Sequence, residues 1–483
     1  MHASQGKLRK CLGGAFLVAL LLGTLCWSTV AAAQAPPPPP IDGTAAHPVQ
    51  IPFERFTLPN GLTVILHQDQ TQPLVAVHVG YQVGSRDEAA GRTGFAHLFE
   101  HLMFMGTERV PQGQLDEWME REGAWNNAWA SEDRTVYYEV GPRHTLPLLL
   151  WLEADRMSAL GRQITPAKLD AQRKVVRNER RQKIENEPYQ KAQQLRLPEL
   201  LFPPSHPYRH PIIGSHEDLE AATVADVRAF FARWYAPQNA CLVVAGDFEP
   251  ASVRARVARL FGSIPRGAAP PRPAAAARPV TLDRVVRETQ TDAVTLPKIV
   301  MAWPSPPLYA PGDAELDLLA AMASAGKGSR LYRSLVHEQR IARSVVSYQR
   351  SMALGSVFVV EAVAQPGATL DELERAIDAV LDGLRAAAAE PAELRRAVLR
   401  YELDLIERMQ SLDTRASTLG SYQAHLGRPD YLAEDLARYQ RATAESVRRV
   451  TAEVLRPKGR VILRILPRDA PSSVGTESKA GAP

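Results

Sequence analysis

Three residues of one short run are suited to metal chemistry. They are His97, Glu100 and His101, within Gly94-Phe95-Ala96-His97-Leu98-Phe99-Glu100-His101-Leu102-Met103. On a helix, positions four apart lie one above the other on one face. Two imidazole nitrogens so placed can reach one tetrahedral metal at about 2.0–2.1 Å. Glu100 projects from the same face and can reach a water on that metal, as a general base must. Phe95, Leu98, Phe99 and Leu102 form an apolar stripe on the opposite face. The run predicts a helix that buries one side and offers H-x-x-E-H on the other.

H-x-x-E-H is the inverted form of the zinc-peptidase motif H-E-x-x-H. Two histidines do not complete such a site, because a catalytic zinc usually has three protein ligands and one open position. A helical pattern over 165–186 offers a third. Thr165 is a potential cap and Pro166 follows it, while Leu169, Val176 and Glu179 lie on nearly one face. Glu179 thus continues an apolar stripe, where a bare carboxylate is costly to bury. A metal would satisfy it, and so would a salt bridge to Arg177, Arg180 or Arg181; position alone does not choose.

These helices need a scaffold. Strand-like runs occupy Thr63-Val64-Ile65-Leu66, Leu74 to Val83, and Arg134 to Val140, and a helix is expected over Gly113 to Glu122. Long helical patterns fill roughly 145–195. The chain also repeats itself. Thr223, Val227, Arg228, Ala232 and Pro237 are matched by Thr443, Val447, Arg448, Ala452 and Pro457, each 220 residues later. In both copies a helix ends near the proline and a strand follows, Leu242-Val243-Val244 or Ile462-Leu463-Arg464-Ile465. This predicts an α+β fold of two homologous domains, each a mainly antiparallel sheet covered by helices on one side. The second copy has no metal motif, since Leu316 to Met322 holds no histidine or glutamate at the needed spacing.

The 483 residues suit two domains, and a formal net charge of +4 with no basic tail argues against nucleic-acid binding. Lys7, Arg9 and Lys10, the apolar run Cys11 to Trp27 and the small residues Ala31 to Ala33 read as a signal peptide, residues 1–33. Its removal would leave no stable membrane anchor and a periplasmic or secreted bacterial protein. Cys11 and Cys26 would leave with it; Cys241, in a strand-like run, is expected to be a small buried hydrophobe. A Pro-rich flexible segment follows over 34–50, then domains over 51–263 and 281–468, joined by a Pro/Ala/Arg-rich linker over 264–280. Residues 469–483 read as a disordered tail. His206, His210 and His216 share a Pro-rich segment, but their irregular spacing points to a solvated structural role. His67 and His78 lie in strand-like runs and are expected to be satisfied by hydrogen bonds.

From Phe56-Thr57-Leu58-Pro59-Asn60-Gly61-Leu62 through Val175-Val176-Arg177-Asn178-Glu179-Arg180 the chain resembles the insulinase/pitrilysin family of inverted zinc peptidases. Further elements are Asn127-Ala128-Trp129, His206-Pro207-Tyr208, Ile213-Gly214 and Gly328-Ser329-Arg330-Leu331, so the likeness covers nearly all of the mature chain. In the family the third ligand is a glutamate closing a run like V-V-x-x-E; here 77 residues separate His101 from Glu179. The resemblance implies one Zn2+ per chain on His97, His101 and Glu179, with Glu100 as general base. It also implies a peptide substrate that adds as a strand to an exposed sheet edge at Asn127, Ala128 and Trp129. The alternative for Trp125 and Trp129 is a place as ordinary core aromatics.

Two features depart from the family. Active members often carry an acidic residue seven positions before the glutamate ligand; Gln172 stands there, which would make the shell around the ligands less negative. Members also often place an arginine and a tyrosine, seven residues apart, after the Ser-Arg-Leu run, where Val336 and Arg343 stand. The resemblance then implies a heterodimer in which a homologous sister subunit supplies that substrate-binding pair, with a homodimer as the alternative. The implied function is a secreted zinc metalloendopeptidase subunit cleaving unfolded peptides. The rivals are a non-catalytic assembly or scaffold subunit of the same fold and a processing peptidase of narrow specificity.

Overall fold

In a computed structural model that describes residues 50–269 and 280–468, the strands gather into two sheets. The signal segment 1–33, the Pro-rich stretch up to residue 49, residues 270–279 of the linker and the tail 469–483 lie outside the described residues. The first sheet holds β1 (Glu54–Thr57), β2 (Thr63–Gln68), β3 (Leu74–Tyr81), β4 (Trp125–Ala130), β5 (Thr135–Pro142) and β6 (Ala240–Gly246). Their order is β1-β2-β6-β3-β5-β4. The second holds β7 (Val286–Asp292), β8 (Lys298–Ser305), β9 (Ala342–Arg350), β10 (Ser356–Ala364) and β11 (Val461–Pro467), in the order β7-β11-β8-β10-β9. Without β1 the two orders are the same. In each sheet one pair is parallel, β2 with β6 and β7 with β11, and the rest are antiparallel.

The repeat read from the sequence has a physical form. Helices Val224–Trp234 and Ala444–Val454 both start on a capping box, Thr223 with Asp226 and Thr443 with Ser446. Each feeds the last strand of its sheet in chain order, β6 or β11. The fold is therefore α+β with two homologous domains, each built on a mainly antiparallel sheet.

Each sheet buries one face under helices of its own domain. Val64, Val77, Val79, Leu242 and Val244 of the first meet Leu98, Leu102, Leu149 and Val227. Met301, Trp303, Phe358 and Ile462 of the second meet Leu316, Leu319, Ile377 and Val447. The opposite faces are exchanged between domains. Ile65, Ala76, Cys241 and Val243 pack against Leu405, Ala416, Leu419 and Tyr422 of the second domain's helices. Val300, Ala302, Val357 and Val359 pack against Leu197, Leu201 and Phe202 of the first. Cys241 is a buried free thiol, its pKa pushed up to about 12 by burial, and so is inert packing as expected.

Polar groups lock the domains together. Asp133, after β4, accepts hydrogen bonds from Arg86 at 2.7 Å, from the Tyr208 hydroxyl at 2.5 Å and from the Ala353 amide at 3.0 Å. The Tyr208 hydroxyl accepts the Leu354 amide at 3.0 Å, and Arg350 of β9 pairs with Glu132.

Asp317, on helix Asp313–Ser324, has its pKa raised to about 7 by burial and then by the charge of Asp313, while the Tyr439 hydroxyl donates to it at 2.7 Å. The unfolded carboxyl titrates near 4, so the folded protein binds the extra proton between about pH 4 and 7. Stability from this group is full below that window and is lost as pH rises through it. Asp317→Asn mimics the protonated carboxyl. It is expected to leave stability unchanged at pH 4 and raise it by on the order of 2 kcal/mol at pH 8, read by urea unfolding. Equal stabilities at pH 8 would contradict this.

Candidate metal centre

The expected motif helix runs from Phe95 to Leu102 and behaves as its pattern requires. Phe95, Ala96, Leu98, Phe99 and Leu102 are buried, while His97, Glu100 and His101 are only partly so. Gly94 starts it at φ +88, in the left-handed region, where an added Cβ would lie 2.7 Å from the Ile213 carbonyl oxygen. The free amides of this start are held by Glu88, whose carboxylate accepts Gly94 N–H at 2.8 Å and Ala96 N–H at 2.7 Å. Burial pushes the Glu88 carboxyl up against the pull of those two amides. Glu88 escapes a sequence reading because it lies six residues before Gly94, outside any capping box.

The second helix, Pro166–Arg180, begins where Thr165 and Pro166 predict, with the Thr165 hydroxyl accepting Lys168 N–H. Leu169 and Val176 are buried and carry Glu179 to the motif helix. Directly after Arg180 the turn widens, with Asn186 N–H reaching the Arg181 carbonyl at 2.8 Å. Two of the arginines that were alternative partners of Glu179 are engaged elsewhere. Arg177 pairs with Glu220, and Arg180 with Glu185 at 3.0 Å and the Gly214 carbonyl.

Glu179 Oε2 instead stands 3.6 Å from His97 Nε2 and 3.2 Å from His101 Nε2. Its other oxygen takes exposed Lys183 at 2.7 Å. A tetrahedral zinc with ligands at about 2.0–2.1 Å needs ligand atoms roughly 3.3 Å apart. Among the described residues, His97, His101 and Glu179 are the one group of three or more such side chains close enough to hold a metal, their ligand atoms within 4.8 Å of one another. Protonation states fit as well. Burial first, then the neighbouring His101, lowers the His97 pKa to about 4. The His101 hydrogen bond, ahead of Lys183, holds the Glu179 carboxyl at about 2. Neutral imidazole and ionised carboxylate are the ligand forms a metal requires.

Glu100 is pushed up by burial, feels the charges of His101 and Glu179, and takes a hydrogen bond from the Ala130 backbone. That bond sets the end of β4 beside the motif helix. β4 is the outermost strand of its sheet, pairing only with β5, so Asn127, Ala128 and Trp129 lie on a sheet edge. Asn127 is exposed, with Ala128 and Trp129 half-buried. Trp125 is 49% exposed, and Arg134 covers the Trp129 ring at 4.8 Å, so neither is an ordinary core aromatic.

The Gln172 amide donates to Met105 Sδ at 2.7 Å, and the buried His97 Nδ1 has no hydrogen-bond partner. His206, expected to be solvated, is buried against Phe202, ring centroids 4.5 Å apart, and accepts Tyr208 N–H. Pro207 and Tyr208 turn it inward. His210 and His216 face Glu88 and Glu185 as separate pairs. His78 bonds Asp413 at 2.7 Å and His67 bonds the Pro52 carbonyl at 2.7 Å, both as expected of structural histidines. In the second domain, Val336 is half-buried against its core and Arg343 is exposed near the start of β9. No helix of the described residues is long and apolar enough to cross a membrane.

Known proteins share this architecture. The family model Insulinase (Peptidase family M16) matches residues 63–204, and Peptidase M16 inactive domain matches residues 221–401. The chain is 28% identical over 371 residues to the zinc protease PqqE of Helicobacter pylori, across 76% of this chain and 83% of the relative. It is 28% identical over 464 residues to an uncharacterized zinc protease of Mycobacterium tuberculosis, across 91% and 100%. A crystal structure of a Helicobacter pylori protease superimposes with a TM-score of 0.79 at 26% identity, covering 87% of this chain and 100% of that one. The periplasmic protease PqqL from Escherichia coli shares the fold, with a TM-score of 0.70 at 19% identity, over 86% of this chain and 48% of that one. The likeness runs through both domains and is not confined to the motif: the chain belongs to the insulinase/pitrilysin family, M16.

Proposed function

We propose that this protein is the zinc-bearing subunit of an exported metalloendopeptidase that cleaves unfolded peptides. The observation that carries the reading is the convergence of His97 and His101 Nε2 on one oxygen of Glu179, with Glu100 on the same helix face. His97, His101 and Glu179 would hold one zinc ion. Zinc bound there supplies Lewis-acid chemistry, acidifying water and polarising a carbonyl. Glu100, its proton affinity raised by burial, takes a proton from the attacking water and delivers it to the departing amine. The free edge of β4 lines the peptide up by backbone hydrogen bonds at Asn127, Ala128 and Trp129, reading extended shape more than side chains. Export rests on the N-terminal segment.

Val336 and Arg343, where an arginine and a tyrosine would grip the peptide, support a homologous partner that supplies them. The test uses the zinc-loaded mature chain and a library of quenched fluorescent peptides. The chain alone is expected to be silent. The double substitution Val336→Arg, Arg343→Tyr is expected to bring turnover at least about 100-fold above a Glu100→Gln background. Isothermal titration with zinc should give one site, weakened roughly 100-fold or more by Glu179→Ala. Full activity of the unaltered chain alone would remove the partner from the reading. One zinc with no turnover in any of these forms, or with any homologous partner, would favour a scaffold subunit.

A further inference from the structure

Helices Leu146–Gln163 and Val224–Trp234 of the first domain border a groove of about 460 Å³. Met157, Phe231, Tyr235 and Ile264 form its apolar floor. The Phe231 ring stacks on Tyr235 with centroids 5.5 Å apart, and Tyr235 stacks on Phe99 of the motif helix at 5.0 Å. Phe99 lies on the buried face of that helix, away from His97 and Glu100, so the groove is separate from the candidate metal centre. Gly161 seats the Phe231 ring: an added Cβ would stand 2.4 Å from its Cδ1. Glycine weakens a helix interior, and here the ring gives it a reason. The facing wall is pinned. The Asn60 amide donates to the Ile264 carbonyl at 3.0 Å, and the Gln238 amide donates to the Gly267 carbonyl at 2.8 Å. Pro237 and Pro265 stiffen it further by fixing φ.

Two exposed arginines, Arg162 and Arg228, border the groove, and no acid is among the described residues that line it. Arg228 donates to the Ile164 carbonyl at 2.9 Å, and the Arg162 guanidinium has no partner among the described residues. The second domain repeats this arrangement with both charges neutralised. Arg448, the counterpart of Arg228, pairs at 2.6 Å with Glu445, three residues before it. Arg385 is the counterpart of Arg162, since its carbonyl accepts from Arg448 as that of Arg162 accepts from Arg228. It pairs with Asp382, again three residues before it, and donates to the Leu455 carbonyl at 2.7 Å. The first domain has Ala225 and Ala159 where those acids stand, and Phe231 where the second has Thr451. One scaffold thus pairs both arginines in one domain and leaves both without an acid, beside an apolar floor, in the other.

We infer that this groove is a binding site for a small amphipathic carboxylate, an apolar ring or chain that ends in one carboxylate group. The ring or chain covers Phe231 and Ile264, and the carboxylate takes charge-assisted hydrogen bonds from the two guanidinium groups. The volume suits it, since small-molecule sites measure about 300–1,000 Å³. A neutral ligand would leave both arginines to water, and an inorganic anion would leave the floor bare. Free aryl or alkyl carboxylates and the C-terminal end of a peptide share this chemistry. The site stands whether or not the chain hydrolyses peptides.

The test is isothermal titration of the zinc-loaded full chain with hydrocinnamate, its neutral twin hydrocinnamamide, and inorganic phosphate. Hydrocinnamate should bind about 10-fold or more tighter than either of the others. Ala159→Asp with Ala225→Glu copies the second domain and should weaken it by about 10-fold or more, as should Arg162→Gln, at an exposed position, by itself. A carboxylate bound at the metal centre would ignore these changes. A crystal soaked with hydrocinnamate should show the ring on Phe231 and the carboxylate between Arg162 and Arg228. N-acetylphenylalanine keeps the ring and the carboxylate and adds peptide backbone. Its binding tighter than hydrocinnamate would support the site and name a peptide C-terminus as the source; weaker binding would support the site and name a free carboxylate. Equal binding of hydrocinnamamide or phosphate, undiminished binding to the folded variants, or a soaked ring found only at the metal centre would each overturn the proposal.

Discussion

Glu100→Gln is expected to lower kcat/KM for peptide hydrolysis by roughly 10³-fold while zinc content stays at one per chain. The substitution keeps size and hydrogen bonding but removes the site that accepts a proton. Glu100 is not among the three converging ligand groups, so its loss should leave metal affinity intact. The Ala130 amide that now donates to the carboxylate can donate equally to the amide oxygen, so the geometry at the end of β4 should persist. The measurement is turnover of a quenched fluorescent peptide by the active assembly, with zinc counted by atomic absorption. Retained turnover would remove Glu100 from the chemistry. Loss of zinc together with activity would instead make it a ligand.

The largest stability effect is expected at Arg156, buried in the first domain. Its guanidinium is 3% exposed and pairs with Glu153 of its own helix and with Glu139 of β5 at 2.5 Å. Glu153 and Glu139 are themselves 0% and 1% exposed. The ring faces of Tyr137 and Phe104 lie 5.2 Å from the cation. Arg156→Leu would leave two carboxyls in a dry core and is expected to cost about 3–5 kcal/mol in chemical unfolding at neutral pH. Burial already raises the Glu139 pKa to about 7, and removing the cation can only raise it further. A carboxyl with a raised folded pKa stabilises below its unfolded value, near 4.5, and loses that stability as pH rises through the folded one. The variant should therefore be nearer to wild type at pH 5 than at pH 8. Adding Glu139→Gln should recover part of the loss at pH 8. A cost under about 1 kcal/mol at pH 8 would mean water enters the cluster.

Local chemistry made much of the candidate site legible in the residues. The motif helix needed only spacing, because an apolar stripe at Phe95, Leu98, Phe99 and Leu102 forces the opposite face outward. Thr165, Thr223 and Thr443 mark helix starts because their hydroxyls accept amides three residues on. The repeat at an interval of 220 residues foretold two sheets of one topology. Glu179 could be singled out as a buried acid, yet its partner could not, since an arginine and a metal satisfy a carboxylate equally well along one helix.

The sequence by itself thus determined the elements, their duplication and the residue types on the motif helix. Tertiary structure alone decided which distant groups meet them. Glu88 capping the motif helix, His206 turned inward, Gln172 spent on Met105 and the exchange of covering helices between sheets all depend on contacts across the fold. Periodicity reports which face of an element is buried. It carries no record of what is buried against that face, because many partners of similar polarity remove the same surface from water.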